Sequence, residues 1–386
     1  MTQKNLHEKK SSKNLGDIVV CKAMTDERRG RQYPVPEFRS IFTVRCNPFN
    51  NDTKRTAELT KWWSDYALLP ADKYRGRVGD AMLQFAAYNF PDCTDWNRYA
   101  NLVKWFGYLF VWDDHNETQY GDFDRSNRTA RPIVDQYIQC IDRLERMFDI
   151  KCPDKLSTSA TESIDCNSVE AVVVSGDYIP IHTWKPYVLS TYATVEAILT
   201  DMNSVQRYRF IDSWRQYLRG QDCENQLIED KVIDFDIIEK VRIDSSGNWT
   251  LFTLIEYSDG LYVPQTEWSD PRIQRLLYLT HLQVVYVNDV YSFEKELYDQ
   301  KGQLDLMFAN LVAYYVLHDK CSIREAMDKT IELVRQLEAD FVELAKTVAN
   351  DPELSFDAKR FVEGLANYMA SNYHLSITLD RYNNFN

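Results

Sequence analysis

The chain has 386 residues, a net charge of -13, and only 12 glycines and 12 prolines. That acidic balance, with no stripe of Lys and Arg, excludes a binder of nucleic-acid backbones, and no run of about 18 apolar residues offers a membrane span. Glycine and proline both fall well below average usage, so helices with few interruptions are expected.

Residues 1–35 are polar, carrying Lys4, Lys9, Lys10, Lys13 and the run Arg28-Arg29-Gly30-Arg31 ahead of Pro34 and Pro36, and they read as a flexible N-terminal arm. The start lacks the apolar core of a signal peptide. From Thr53, the residues Leu59, Trp62, Trp63 and Tyr66 recur at helical spacing and stop before Pro70. Further helices are predicted over 77–89, 95–114 and 128–148. Residues 151–183 break the pattern with Pro153, a Ser/Thr-rich stretch from Ser157 to Ser163, Gly176 and Pro180, which predicts a surface loop. Helical patterning resumes over 186–225 and 231–243, is interrupted around Arg242 to Trp249, and returns over 272–298, 304–319, 322–349 and 355–376. No linker divides 36–386, which is expected to be a single all-α domain. Eight cysteines (21, 46, 93, 140, 152, 166, 223 and 321) are scattered without CxxC pairs, a pattern of reduced thiols and a cytoplasmic location.

Two motifs carry chemistry. Asp113-Asp114-x-x-Glu117 closes the predicted 95–114 helix, and Asn288-Asp289-x-x-Ser292-x-x-Lys295-Glu296 lies in the 272–298 helix. At 3.6 residues per turn, Asn288, Ser292 and Glu296 share one helix face, as do Asp113 and Glu117, whereas Asp289 points off the ligand face. An acidic cluster alone is ordinarily a solvated face. The second motif resists that reading, because Val284, Val285, Tyr286 and Val287 lead into it from an apolar stretch. Both sets present only oxygen ligands, which suit a hard divalent cation rather than zinc or copper.

With these motifs the chain resembles the class I terpene synthases of the microbial, single-domain type, which carry an aspartate-rich motif and an (N/D)DxxSxxxE motif on two helices. The resemblance extends to Asn89-Phe90-Pro91-Asp92-Cys93, to Trp105-Phe106 and Phe110-Val111-Trp112 before Asp113, and to the terminal pair Arg381-Tyr382. It implies a class I terpenoid synthase helical bundle around a central active-site cavity, with 151–183 as a loop insertion. It also implies a lyase reaction: Mg2+-dependent ionisation of a prenyl diphosphate, cyclisation, and release of diphosphate.

By that resemblance, Asp113 would bridge two of three Mg2+ ions and Asn288, Ser292 and Glu296 would hold the third, while Asp114 and Glu117 orient ligands or basic partners. Arg242, Lys295, Arg381 and Tyr382 would contact the diphosphate. A Ser245-Ser246 pair stands where the family commonly has Asp-Gly after the sensing arginine, and Leu375 stands where it often has tryptophan. Phe110 and Phe106, three and seven residues before Asp113, fall on its helix face, where their rings would face carbocations. Farnesyl diphosphate is the expected substrate and a sesquiterpene the product, with geranylgeranyl diphosphate as the alternative. A non-catalytic helical protein on a prenyl-synthase scaffold is the reading from another class. The expected assembly is a monomer or homodimer.

Overall fold

The computed structural model describes residues 33–66, 75–117, 131–152, 179–230, 234–300, 302–304, 307, 309–379 and 382. Among them there is no strand. The helices are α1 (Thr53–Tyr66), α2 (Arg75–Asn89), α3 (Trp96–Glu117), α4 (Arg131–Phe148), α5 (Pro186–Asp201), α6 (Ser204–Asp230), α7 (Phe235–Ser245), α8 (Asn248–Asp259), the single turn α9 (Gln265–Trp268), α10 (Pro271–Asp299), α11 (Leu311–His318), α12 (Ile323–Asn350) and α13 (Phe356–Thr378).

The starts of these helices follow local chemistry. Ser322 and Glu325 form a reciprocal capping box on α12, Ser355 caps α13, Asp234 caps α7, and Asp270 with Pro271 opens α10. α10 is the central element, packing against α12, α13, α7 and α11. From Leu276 to Glu294 nearly every side chain on it is buried, including Thr280, His281, Gln283, Asp289 and Ser292. A helix buried all round must satisfy its polar residues internally, which marks those five positions as functional or structural anchors.

One of them, Gln283, is held by Glu338 on α12. The Glu338 carboxylate accepts from Gln283 Nε2 at 2.8 Å, Ser40 Oγ at 2.7 Å and the Ile41 N–H at 3.0 Å, tying the segment before α1 to the middle of α10. Tyr33 lies edge-on to Phe293 and Phe38 to Tyr373, so the same segment crosses α10 and α13. A second buried pair, Arg209 and Glu256 at 2.9 Å, joins α6 to α8.

α6 and α7 approach closely at Gly220, where an added Cβ would lie 2.4 Å from the Asp244 carbonyl carbon and 2.5 Å from the Ser245 nitrogen. Neither backbone atom can move without shifting α7. Gly220→Ala is therefore expected to lower stability by about 1–3 kcal/mol or more, read as a fall in the urea midpoint. An unchanged midpoint would show that α7 is free to slide.

Several expectations need revision in detail. The predicted 186–225 helix is two helices, because the backbone turns extended at Met202 after α5 and Asn203 accepts from the Val205 and Gln206 N–H groups at the start of the second. The predicted 304–319 helix begins only at Leu311, where Asn310 caps it. α8 was not expected, and every residue from Asn248 to Ser258 but Trp249 is buried, so no amphipathic period announces it. Most of the 1–35 arm and of the 151–183 insertion lies outside the described residues. No helix among the described residues is long and apolar enough to cross a membrane. The described cysteines 46, 93, 140, 152, 223 and 321 are all free thiols.

Candidate metal and diphosphate site

The second motif occupies the last turns of α10. Ser292 Oγ lies 2.5 Å from Glu296 Oε1 and 2.7 Å from the Asn288 carbonyl oxygen, so two of the side chains meet directly, and the i, i+4, i+8 spacing puts Asn288 on the same helix face. The Asn288 amide nitrogen donates to the Tyr382 hydroxyl at 3.4 Å, which places the buried Tyr382 against the first member of the triad. Lys295 is partly buried on the same helix, one position before Glu296.

Asp289 does point away from the triad. It is 1% exposed, accepts the Leu311 N–H at 2.8 Å through Oδ2, and pairs through Oδ1 with Arg242 Nη2 at 2.8 Å. Arg242, near the end of α7, also lies 4.0 Å from Glu224 on α6. Burial would lower the pKa of this guanidinium, but the carboxylates of Asp289, Glu224 and Glu296 outweigh burial and hold it protonated. Burial pushes the Asp289 carboxyl up, and the Arg242 charge opposes that shift. Arg242 Nε and Glu224 Oε2 are buried without hydrogen-bond partners, an arrangement that ordinarily needs an explanation.

Asn310 was not singled out by the sequence. Its amide nitrogen donates to Glu296 Oε2 at 2.9 Å and to the Asp289 carbonyl at 3.0 Å, while its Oδ1 accepts the Val312 and Ala313 N–H groups. One residue thus caps α11 and holds the last triad member. The available signal was an Asn immediately before the apolar run Leu311 to Leu317, an N-cap pattern that carries no hint of the contact with Glu296.

On α3 the first motif forms the last turn of the helix, and the side chains of Asp113, Asp114 and Glu117 lie outside the described residues. So does Arg381. Phe110 is 8% exposed, stacked on Phe106 at 6.3 Å and edge-on to Phe85 at 4.9 Å, so it belongs to an aromatic cluster between α2 and α3. Between α7 and α10 a cleft lined by Ile238, Ile243, Leu282, Val285 and Leu311 reaches the Arg242–Asp289 pair. Two tyrosines beside it, Tyr278 and Tyr286, both donate to Glu239.

The family model of terpene synthase family 2, C-terminal metal binding, matches residues 104–340, a span that contains both motifs and Arg242. The terpene cyclase braA of Annulohypoxylon truncatum is 22% identical over 377 residues, covering 94% of this chain and 91% of its own. The (+)-corvol ether B/(+)-corvol ether A synthase of Kitasatospora setae, named as cyclizing (2E,6E)-farnesyl diphosphate, is 25% identical and covers 87% of this chain and 90% of its own. In fold, the linalool/nerolidol synthase of Streptomyces clavuligerus superposes with a TM-score of 0.65 at 18% identity, over 86% of this chain and 98% of that one. The match covers more than half of the chain and includes both motif-bearing helices: this protein belongs to the terpene synthase family, lyases that act on prenyl diphosphates.

Proposed function

We propose that the protein is a Mg2+-dependent cyclase that ionises farnesyl diphosphate and closes it to a sesquiterpene. The observation that carries this reading is the oxygen triad Asn288, Ser292 and Glu296 at the end of α10, flanked by Tyr382 and by the Arg242–Asp289 pair. The triad fits a hard cation. Tyr382 takes up the Asn288 amide nitrogen, so its Oδ1 is the atom left for a ligand, and the Ser292 hydroxyl already turns Glu296 Oε1 toward the same cluster.

Asn288, Ser292 and Glu296 would hold one of three ions and Asp113 the other two, with Asp114 and Glu117 orienting ligands or basic partners beside it. Bound Mg2+ supplies charge neutralisation of the departing diphosphate. The chain's own residues do the rest. Arg242, whose buried Nε lacks a partner, supplies a fixed donor to a diphosphate oxygen, with Lys295 and Arg381 adding charge and Tyr382 a hydroxyl. The aromatic cluster around Phe110 and Phe106 excludes water and offers ring faces to cationic carbon.

The substrate assignment is supported by the farnesyl-cyclizing relative and by the single-domain length; geranylgeranyl diphosphate is the alternative. The deciding experiment is incubation with each diphosphate and Mg2+, followed by gas chromatography with mass detection. Farnesyl diphosphate is expected to give a sesquiterpene, and product from geranylgeranyl diphosphate alone would overturn the assignment.

Arg381→Ala tests whether the chain end closes on bound diphosphate. The expected result is a kcat lowered on the order of 10-fold or more, since each charge-assisted contact to the diphosphate contributes about 1.5–3 kcal/mol. The thermal shift produced by Mg2+ and diphosphate should shrink in parallel. Turnover and shift equal to wild type would leave Arg381 as a surface cation.

A further inference from the structure

Asn310 uses its side chain in two ways, and helix capping needs only one of them. The residue is 3% exposed at the start of α11, and its Oδ1 accepts the Val312 and Ala313 N–H groups at 3.0 and 3.4 Å. Serine, threonine or aspartate would cap that helix as well. Asparagine adds an amide nitrogen, which donates to Glu296 Oε2 at 2.9 Å and to the Asp289 carbonyl at 3.0 Å. Both amide protons and the acceptor oxygen are thereby committed. Turning the amide over would set its NH2 against two N–H groups of α11, so the partners themselves fix which end is nitrogen. The Leu311 N–H, next in the chain, bonds to Asp289 Oδ2 at 2.8 Å and fastens the start of α11 to α10 at a further point.

The two oxygens of Glu296 are consequently unequal. Oε2 meets Asn310, whereas Oε1 lies 2.5 Å from Ser292 Oγ, an atom that is also 2.7 Å from the Asn288 carbonyl oxygen. A hydroxyl has one proton and cannot donate fully to both acceptors. When that proton turns to the Asn288 carbonyl, Ser292 Oγ and Glu296 Oε1 face each other with lone pairs alone, a repulsion that a cation between them would relieve. Oε2 meanwhile stays with a neutral donor. This difference bears on which cation fits, since Mg2+ takes a near-octahedral set at about 2.0–2.1 Å, whereas Ca2+ takes about six to eight oxygens at about 2.3–2.6 Å and often engages both oxygens of one carboxylate.

We propose that Asn310 is a positioning residue that keeps Glu296 a one-oxygen ligand, so that the triad prefers Mg2+ to Ca2+. The inference rests on the cyclase reading above, in which the triad holds a cation. A residue that only caps α11 would set stability and leave ion preference alone. A residue that positions Glu296 changes the preference even where the cap is kept, because releasing Oε2 from the amide lets both carboxylate oxygens turn to the larger ion.

Asn310→Ser separates the two roles: its hydroxyl can cap α11, and the amide donor to Glu296 is gone. Asn310→Ala removes both. The full wild-type chain and each variant are loaded with Mn2+ and inorganic diphosphate, at a concentration that keeps Ca2+ dissolved, and Mn2+ is displaced with Mg2+ or with Ca2+ while its paramagnetic resonance is followed. Ions assigned to Asp113 contribute alike in every chain, so differences between chains report the triad. The expected result for both variants is a Mg2+ affinity lower by about 10-fold or more, the usual effect of removing the outer partner of a metal ligand, with the Ca2+ affinity unchanged or raised. The urea midpoint should fall further in Asn310→Ala than in Asn310→Ser, and if Asn310→Ala does not fold, Asn310→Ser decides alone. A wild-type ratio of Mg2+ to Ca2+ affinity in Asn310→Ser, or an equal loss for both ions, would overturn the proposal and leave the cyclase reading standing. A wild-type chain from which Mg2+ displaces no Mn2+ would overturn the reading of the triad as a cation site, and this inference with it.

Discussion

Asn288→Ala is expected to lower turnover on the order of 10²–10³-fold, the loss typical of removing one fixed group that stabilises developing charge, while leaving the fold in place. Asn288 is partly buried, and its side chain makes a 3.4 Å contact with Tyr382. Losing that contact costs at most about 1 kcal/mol, so helical circular dichroism and the urea midpoint should stay near wild type. The Mg2+ concentration needed for half-maximal rate should rise, which separates a lost ligand from a disturbed core. Asp113→Ala tests the other motif in the same way, and retention of wild-type turnover by either variant would remove that residue from the ligand set. Ser292→Ala gives an internal check. It deletes the hydroxyl that orients Glu296 Oε1 at 2.5 Å, but Asn310 still holds Oε2 at 2.9 Å, so a smaller loss is expected than for Asn288.

Periodicity made α10 and its triad legible, because a fixed 3.6-residue repeat converts the spacing of Asn288, Ser292 and Glu296 directly into a shared face. The same arithmetic put Asp289 off that face, and the structure shows where it goes: toward Arg242 and the start of α11. The partner itself was not legible. Arg242 lies 47 positions before Asp289, and nothing in local sequence reveals that α7 is set against α10 at that height. The resemblance marked Arg242 as a diphosphate contact, and the carboxylates around it add that the charge is held in place within the fold.

α8 illustrates the converse limit, since a helix buried on every side offers no alternation to read. The contact of Ser246 Oγ with His281 Nε2 at 2.6 Å combines both limits, joining the break between α7 and α8 to a residue 35 positions away. Its spacing from Asp113 marks Phe110, and its packing on Phe85 and Phe106 places it in a cluster whose size no spacing rule would give.

Asp289→Ala should be among the most destabilising single changes at this site, by about 3–5 kcal/mol. The Arg242 guanidinium would lose the partner at 2.8 Å and keep Glu224 at 4.0 Å and the Glu296 charge, while the Leu311 N–H would lose its acceptor at the first turn of α11. Two connections to α10 would fail together, from α7 and from α11. Asp289→Asn separates them: the amide oxygen can still accept from Leu311, while the charge and the acceptor facing Arg242 are lost, so its cost should be the smaller. Arg242→Leu combined with Asp289→Ala should recover part of the stability lost in Asp289→Ala alone, because no uncompensated charge is then left inside. Urea unfolding at neutral pH measures all four chains. If Asp289→Ala unfolds at the wild-type midpoint, the pair does not hold α7 to α10, and the unpartnered Nε of Arg242 would have to be held in place by the packing of α7 alone.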